Sequence, residues 1–320
     1  MIQKHHQYLS SFLICFFLLS GQFMHAEDPS KPSGDQVLEQ MIERIQTINT
    51  ITYRLEKKER IKNKILEEAL FVKLSISPFR VYSKMDYPKN GLEVLFDSDW
   101  EKQKAIINTN SFPWVNVRFS PLGKTMRKDQ HHTILDSGYD KIAASIIFQY
   151  QSYTSIGIEM TENKGEALID GRKCWILEFQ DPKFGFKNYI IKEGEDLISI
   201  ANKYKLSDYM ILLNNKKIKF YDDVEIGMQI KIPTSYSKRM VLYIDQIELI
   251  PLKVEVYDDK GLFEQFEFKN VNLNVAFKAN EFSAEFEEFC VPKSVPTFCT
   301  AGSGAGLGCG LTSSTGTCDA

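Results

Sequence analysis

Asn188-Tyr189-Ile190-Ile191-Lys192-Glu193-Gly194-Glu195-Asp196-Leu197-Ile198-Ser199-Ile200-Ala201-Asn202-Lys203-Tyr204 opens the most informative stretch of the chain, and Ile226-Gly227-Met228-Gln229-Ile230-Lys231-Ile232-Pro233 closes it. Tyr189 to Ile191 is a β-branched and aromatic run, which predicts a short strand. Gly194-Glu195-Asp196 is a turn that places carboxylates at the positively polarised start of a helix. Leu197, Ile200, Ala201 and Tyr204 then fall at helical spacing. Ser207-Asp208 opens a second helix, which runs past Met210 and Leu213 to Asn214-Asn215. Gly227 precedes a last strand, Gln229 to Ile232, which Pro233 ends. The order strand, helix, helix, strand makes residues 188–233 a small βααβ unit.

This ordered set resembles a LysM module, the small glycan-binding domain of cell-wall proteins. Asp196 stands where that family usually carries Thr, and Lys216, Lys217 and Lys219 make its second loop basic. The resemblance implies binding of peptidoglycan or a related N-acetylglucosamine polymer in a shallow groove between two loops. The positions would be Gly194, Glu195, Asp196 and Leu197 on one side and Asn215, Lys216, Lys217 and Ile218 on the other. Backbone amides would meet N-acetyl carbonyls, Leu197 and Ile218 would pack on sugar faces, and Gly194 would let the backbone come close.

The N-terminus points to the same compartment. Lys4, His5 and His6 precede a nearly uninterrupted apolar run, Leu9 to Leu19, which is short for a membrane span. Met24-His25-Ala26 offers a cleavage point before Glu27, and Ile14 before Cys15 is too large for a lipoprotein anchor signal. A signal peptide over 1–26, a polar linker over 27–35 and a periplasmic location follow as expectations. The net charge of −3 comes with no basic block, which argues against a nucleic-acid partner.

Outside the βααβ unit the chain reads as one domain in two parts, 36–187 and 234–286. Val37, Leu38, Met41, Ile42, Ile45 and Ile48 make an amphipathic helix with Asp35 as its N-cap. From Ile51 the period turns strand-like, with Tyr53, Leu55 and then charged residues leading into Ile61, and strand-like runs follow at 71–85, broken at Pro78, and at 92–96 and 104–108. Ile142, Ala143, Ile146, Ile147 and Tyr150 return to helical spacing within 139–150. Strands are expected at 157–160, 166–169 and 173–179, with a hairpin turn at Asp170-Gly171. After the unit come 240–250, 252–257 and 262–273, and Leu252, Val254 and Val256 alternate with Lys253, Glu255 and Tyr257.

A helix, a run of long antiparallel strands, a second helix and closing strands resemble the LolA-like fold, an α+β architecture in which a curved antiparallel sheet cradles helices. Three stretches are similar to an uncharacterised exported family of that fold, domain of unknown function 1571. They are Asn116 to Lys124 followed by Arg127, His131-His132 and Gly138; Leu252 to Asp258; and Phe268 to Phe277 leading to Asn280-Glu281-Phe282. The resemblance implies an apolar cradle, lined here by Leu252, Val254 and Val256, for lipid or a lipoprotein.

No nucleophile elbow, phosphate loop or dinucleotide fingerprint occurs, and no cofactor is expected. His131-His132 with Asp136 is the strongest catalytic or metal candidate. Neighbouring histidines point apart and no third ligand is evident, so a polar turn with one histidine satisfied by backbone contacts is the expectation, with no metal site. The last stretch, 287–320, carries Cys290, Cys299, Cys309 and Cys318 in Gly, Ser and Thr-rich sequence that builds no core and reads as disordered. Two disulfides are the alternative, which would leave Cys174 unpaired in its strand. The expected function is an exported, non-catalytic, peptidoglycan-associated binding protein; the alternative is a wall hydrolase targeted by the module.

Overall fold

The computed structural model describes residues 31–112, 115–155 and 161–284. The leader at 1–26, the strand expected at 157–160 and the cysteine-bearing tail lie outside them. The chain divides into Met1–Pro32 and Ser33–Ala320, and all that follows concerns the second unit.

Helix α1 (Gly34–Gln46) is followed by β1 (Thr50–Ile61), β2 (Lys64–Ser75), β3 (Arg80–Tyr87), β4 (Glu93–Asp97), β5 (Ala105–Asn108) and β6 (Asn116–Phe119). Then come α2 (Asp140–Thr154), β7 (Thr161–Ile169), β8 (Arg172–Gln180) and β9 (Phe186–Ile190). Helices α3 (Leu197–Tyr204) and α4 (Asp208–Asn214) precede β10 (Gln229–Pro233), β11 (Arg239–Asp245), β12 (Pro251–Asp258) and β13 (Gly261–Leu273). Among the described residues, eleven strands form one large curved antiparallel sheet in the order β6-β5-β4-β3-β2-β1-β13-β12-β11-β8-β7, and β9 pairs with β10 alone.

The cap of α1 differs from expectation. Ser33, not Asp35, is the N-cap: Gln36 N–H donates to Ser33 Oγ at 3.2 Å and Ser33 N–H to Gln36 Oε1 at 3.0 Å. Asp35 sits in the first turn and accepts from the Thr161 hydroxyl. Val37, Leu38, Met41 and Ile45 are buried, and the helix packs on β7 and β8.

The longest hairpin, β1–β2, includes the strand-like start at Ile51 and the run from Phe71, but its charged middle was hidden in sequence. Lys57 lies opposite Glu68 and Lys58 opposite Glu67, with ion pairs at 2.9 Å in both cases. Cross-strand opposite charges support a ladder that apolar alternation does not announce. The strand expected over 240–250 ends at Asp245 instead. The Asp245 carboxylate accepts the N–H of Ile247 at 2.8 Å and of Glu248 at 2.5 Å, and Leu249 turns at φ 55°. Asp170 and Gly171, at φ 49° and 72°, form the expected β7–β8 turn. Cys174 is fully buried, and burial pushes its thiol up to about 11.

Leu252, Val254 and Val256 do not line an open cradle. They are 1 %, 1 % and 0 % exposed, in one core with Val37, Leu38, Met41 and Ile45 of α1 and Ala143 and Ile146 of α2. The face is apolar enough that the chain's own helices cover it. Leu252→Ala should therefore lower the unfolding free energy by about 2–5 kcal/mol in a denaturant titration. A loss of a few tenths would mean the position faces an open surface.

Candidate glycan-binding site

The expected groove belongs to a small unit with its own core: Ile191, Leu197, Ile200, Ala201, Leu206, Ile211, Ile218, Tyr221, Ile230 and Ile232. Asp196 caps α3 as expected, accepting Ser199 N–H at 2.6 Å and donating its own N–H to Ser199 Oγ at 2.8 Å. Ser207 caps α4 through Met210 N–H at 3.2 Å. The two loops of the groove are neighbours, because Leu197 N–H donates to the Tyr221 carbonyl at 3.0 Å.

Each expected groove residue has a definite place. Gly194 is exposed at φ 74°, and the position a side chain would take is open space. Glu195 is held by the Tyr189 hydroxyl at 2.7 Å, Lys192 N–H at 3.1 Å and the Lys203 ammonium at 3.3 Å. Burial opposes its ionisation, but these donors hold its carboxyl below the ordinary value. Asn215 is occupied by structure: its amide donates to the carbonyls of Ile211 and Lys231 at 2.7 Å and accepts Lys231 N–H at 2.8 Å. Lys216 and Lys217 are exposed. Leu197 and Ile218, at 0 % and 6 % exposure, face the module core, so they are not the apolar contacts a sugar would meet. What the loops present outward includes Lys192, Glu193 and Gly194 on one side and Lys216, Lys217 and Lys219 on the other.

The unit does not stand alone. β8 pairs with β11 on either side of it, and Thr234 N–H donates to the Gly185 carbonyl at 2.9 Å where the chain returns. Helix α4 shows two apolar faces: Ile211 enters the module core, while Tyr209 and Met210 enter the core of the large sheet. The Tyr209 ring stacks on His131 at 4.3 Å, and His131 stacks on Phe263 at 4.2 Å. Tyr209 Oη accepts Lys62 N–H at 3.1 Å, beside the β1–β2 turn.

His131, expected in a polar turn with one histidine satisfied by backbone contacts, does meet a backbone carbonyl and is 1 % exposed. Its Nδ1 meets Glu264 Oε2 at 2.9 Å and its Nε2 meets the Arg60 carbonyl at 3.1 Å. Both partners are oxygens, so both ring nitrogens of His131 are engaged. His132 Nε2 reaches the same Glu264 oxygen at 3.0 Å, and the Tyr236 hydroxyl donates to Glu264 Oε1 at 2.6 Å. Burial works against the Glu264 charge, yet His132 and His131 hold its carboxyl well below the usual range. For His132, burial lowers the proton affinity, but Glu264 outweighs it and the net shift is upward. Among the described residues, no three His, Cys, Asp or Glu side chains are placed to hold a metal ion.

Tyr209, Tyr221, Glu264 and Tyr236 went unread in the sequence, and Arg127 and Asp208 were read there without the pairing they make. A usable signal existed for one of them: α4 is apolar on two sides, which a helix buried on one side is not. Glu264 gave none, since it sits amid exposed-looking Glu and Gln on a strand.

Comparison with known proteins follows the same division. Residues 48–192 match the family model Protein of unknown function (DUF1571), and residues 189–233 match the LysM domain model. The chain is thus similar to the DUF1571 family over 48–192 and to LysM domains over 189–233, and strands β11–β13 complete the large sheet beyond the matched stretches. No curated protein matches. Among solved structures, MucB in the Pseudomonas aeruginosa MucA/MucB complex is 12 % identical over 78 % of this chain and 60 % of its own, with a TM-score of 0.37. The lipoprotein LppX of Mycobacterium tuberculosis is 11 % identical over 76 % and 99 %, at 0.38. A LolA superfamily protein of Nitrosomonas europaea is 10 % identical over 79 % and 98 %, at 0.30. At such scores these likenesses carry no argument about this chain.

The His132–Glu264 pair makes stability depend on pH. His132 is raised, so its contribution is complete below 6.5 and is lost as pH rises through the raised value. Glu264 is lowered, so its contribution is complete above 4.5 and is lost only as pH falls through the depressed value. Melting temperatures followed from about pH 5 to about pH 9 should fall on the alkaline side, and His132→Gln should flatten that limb. An identical alkaline limb in the variant would rule out His132 as its source.

Proposed function

We propose that this chain is an extracytoplasmic, non-catalytic, peptidoglycan-associated binding protein. Its module meets N-acetylglucosamine-containing glycan through the loops at 192–196 and 215–220, and a LolA-like sheet carries it. The observation that carries the reading is the LysM match over 189–233 together with an open loop at Gly194 beside exposed Lys216 and Lys217. The basic pair adds long-range attraction to an anionic wall, which salt screens. A shallow groove makes few contacts, each netting about 1 kcal/mol, so a single module binds weakly.

An acyl chain could reach Leu252, Val254 and Val256 only if the core they belong to opened. Among the described residues a cavity of about 320 Å³ lies elsewhere, between strands β3–β6 and residues 279–284, and is lined by Arg80, Trp100, Arg118 and Phe282. No helix of the described residues is long and apolar enough to cross a membrane.

The test is co-sedimentation of the whole chain with insoluble peptidoglycan, because an isolated module would expose the Tyr209 and Met210 face. Gly194→Trp should abolish sedimentation. Gly194→Asn, which tolerates a left-handed φ, should largely retain it. Equal loss in both would make strain the cause, and retention in Gly194→Trp would remove the groove from the account.

A further inference from the structure

We propose that Arg127, which lies in the sheet domain's 123–133 loop, is a positioning residue for the glycan site: it holds the two groove loops at a set separation without facing the sugar. The affinity part of this proposal rests on the glycan reading; the geometric part does not.

The Arg127 side chain is 2 % exposed and Asp208 5 %. Its Nη2 donates to Asp208 Oδ1 at 2.8 Å, at the first residue of α4, and to the His131 carbonyl at 3.4 Å. Its guanidinium carbon lies 3.7 Å from the centre of the Tyr221 ring. Tyr221 ends the second groove loop, and its carbonyl accepts the N–H of Leu197, which ends the first. One guanidinium thus grips both ends of the segment 208–221, and a single backbone bond ties the other loop to that grip.

Only a planar cation suits the place. It pairs with a carboxylate at its edge while its face lies on an aromatic ring, whereas an ammonium keeps the first contact and gives up the second. Burying such a charge is costly without both partners, which argues for a definite role in this packing. A groove with few contacts gains affinity mainly from being held in its bound shape before the ligand arrives.

The experiment uses the whole chain and two readouts: hydrogen exchange of the Leu197 amide without ligand, and affinity for the N-acetylglucosamine tetramer. In Arg127→Lys, Leu197 should exchange about tenfold faster while the β9–β10 amides keep their protection, and affinity should fall about threefold to tenfold. Tyr221→Leu removes the ring but leaves the Arg127–Asp208 pair, and should reproduce both effects; it decides the matter if Arg127→Lys fails to fold. Unchanged Leu197 exchange in a folded variant overturns the proposal, as does faster exchange with unchanged affinity. A parent chain that ignores the tetramer defeats the glycan reading instead, and the exchange data alone then decide whether Arg127 sets the loops.

Discussion

Glu264 is a carboxylate with no exposure to solvent, set on a central strand of the large sheet. A charge so placed is tolerated only when its oxygens are satisfied. Three donors converge on it: His131 and His132 from the loop before α2, and Tyr236 from the return of the module into β11. The carboxylate therefore dictates where two separate connections pass. Removing one partner of such a set typically costs about 3–5 kcal/mol, since the charge stays behind unpaired.

The consequence for the module follows from His131. With both ring nitrogens engaged, the imidazole plane is fixed, and its two faces are left for Phe263 and for Tyr209. Offset aromatic stacking adds about 0.5–1.5 kcal/mol beyond buried area, and the Arg127–Asp208 pair and Met210 add to the same contact. Helix α4 thus belongs to two cores at once. The βααβ unit is packed against the large sheet through α4 rather than joined to it by its connections alone.

The sequence made the module legible because its signals are local: Gly194, the Asp196 and Ser207 caps and the Gly227 turn act within a few residues. The strands were legible wherever apolar residues alternate, as at Leu252, Val254 and Val256. The charged middle of the β1–β2 hairpin escaped because its ladder is held by Lys57, Lys58, Glu67 and Glu68, whose pairing exists only across strands. The break at Asp245 escaped because a carboxylate folding back on its own backbone overrides a run of strand formers. The cradle assignment turned on a different question. Periodicity says that Leu252, Val254 and Val256 share a face; it does not say whether that face holds a ligand or the chain's own helices. Leu197 and Ile218 went inward for the same reason, since a small module has few side chains with which to fill its core.

The central claim, that a glycan-binding loop surface is carried rigidly on the sheet, is tested most directly by amide NMR of the whole chain titrated with the N-acetylglucosamine tetramer. The account predicts shifts concentrated at residues 192–196 and 215–220, with smaller ones relayed to the Tyr209 and His131 amides. Shifts confined to the cavity beside Trp100 and Arg118, or to Leu252–Val256, would contradict it.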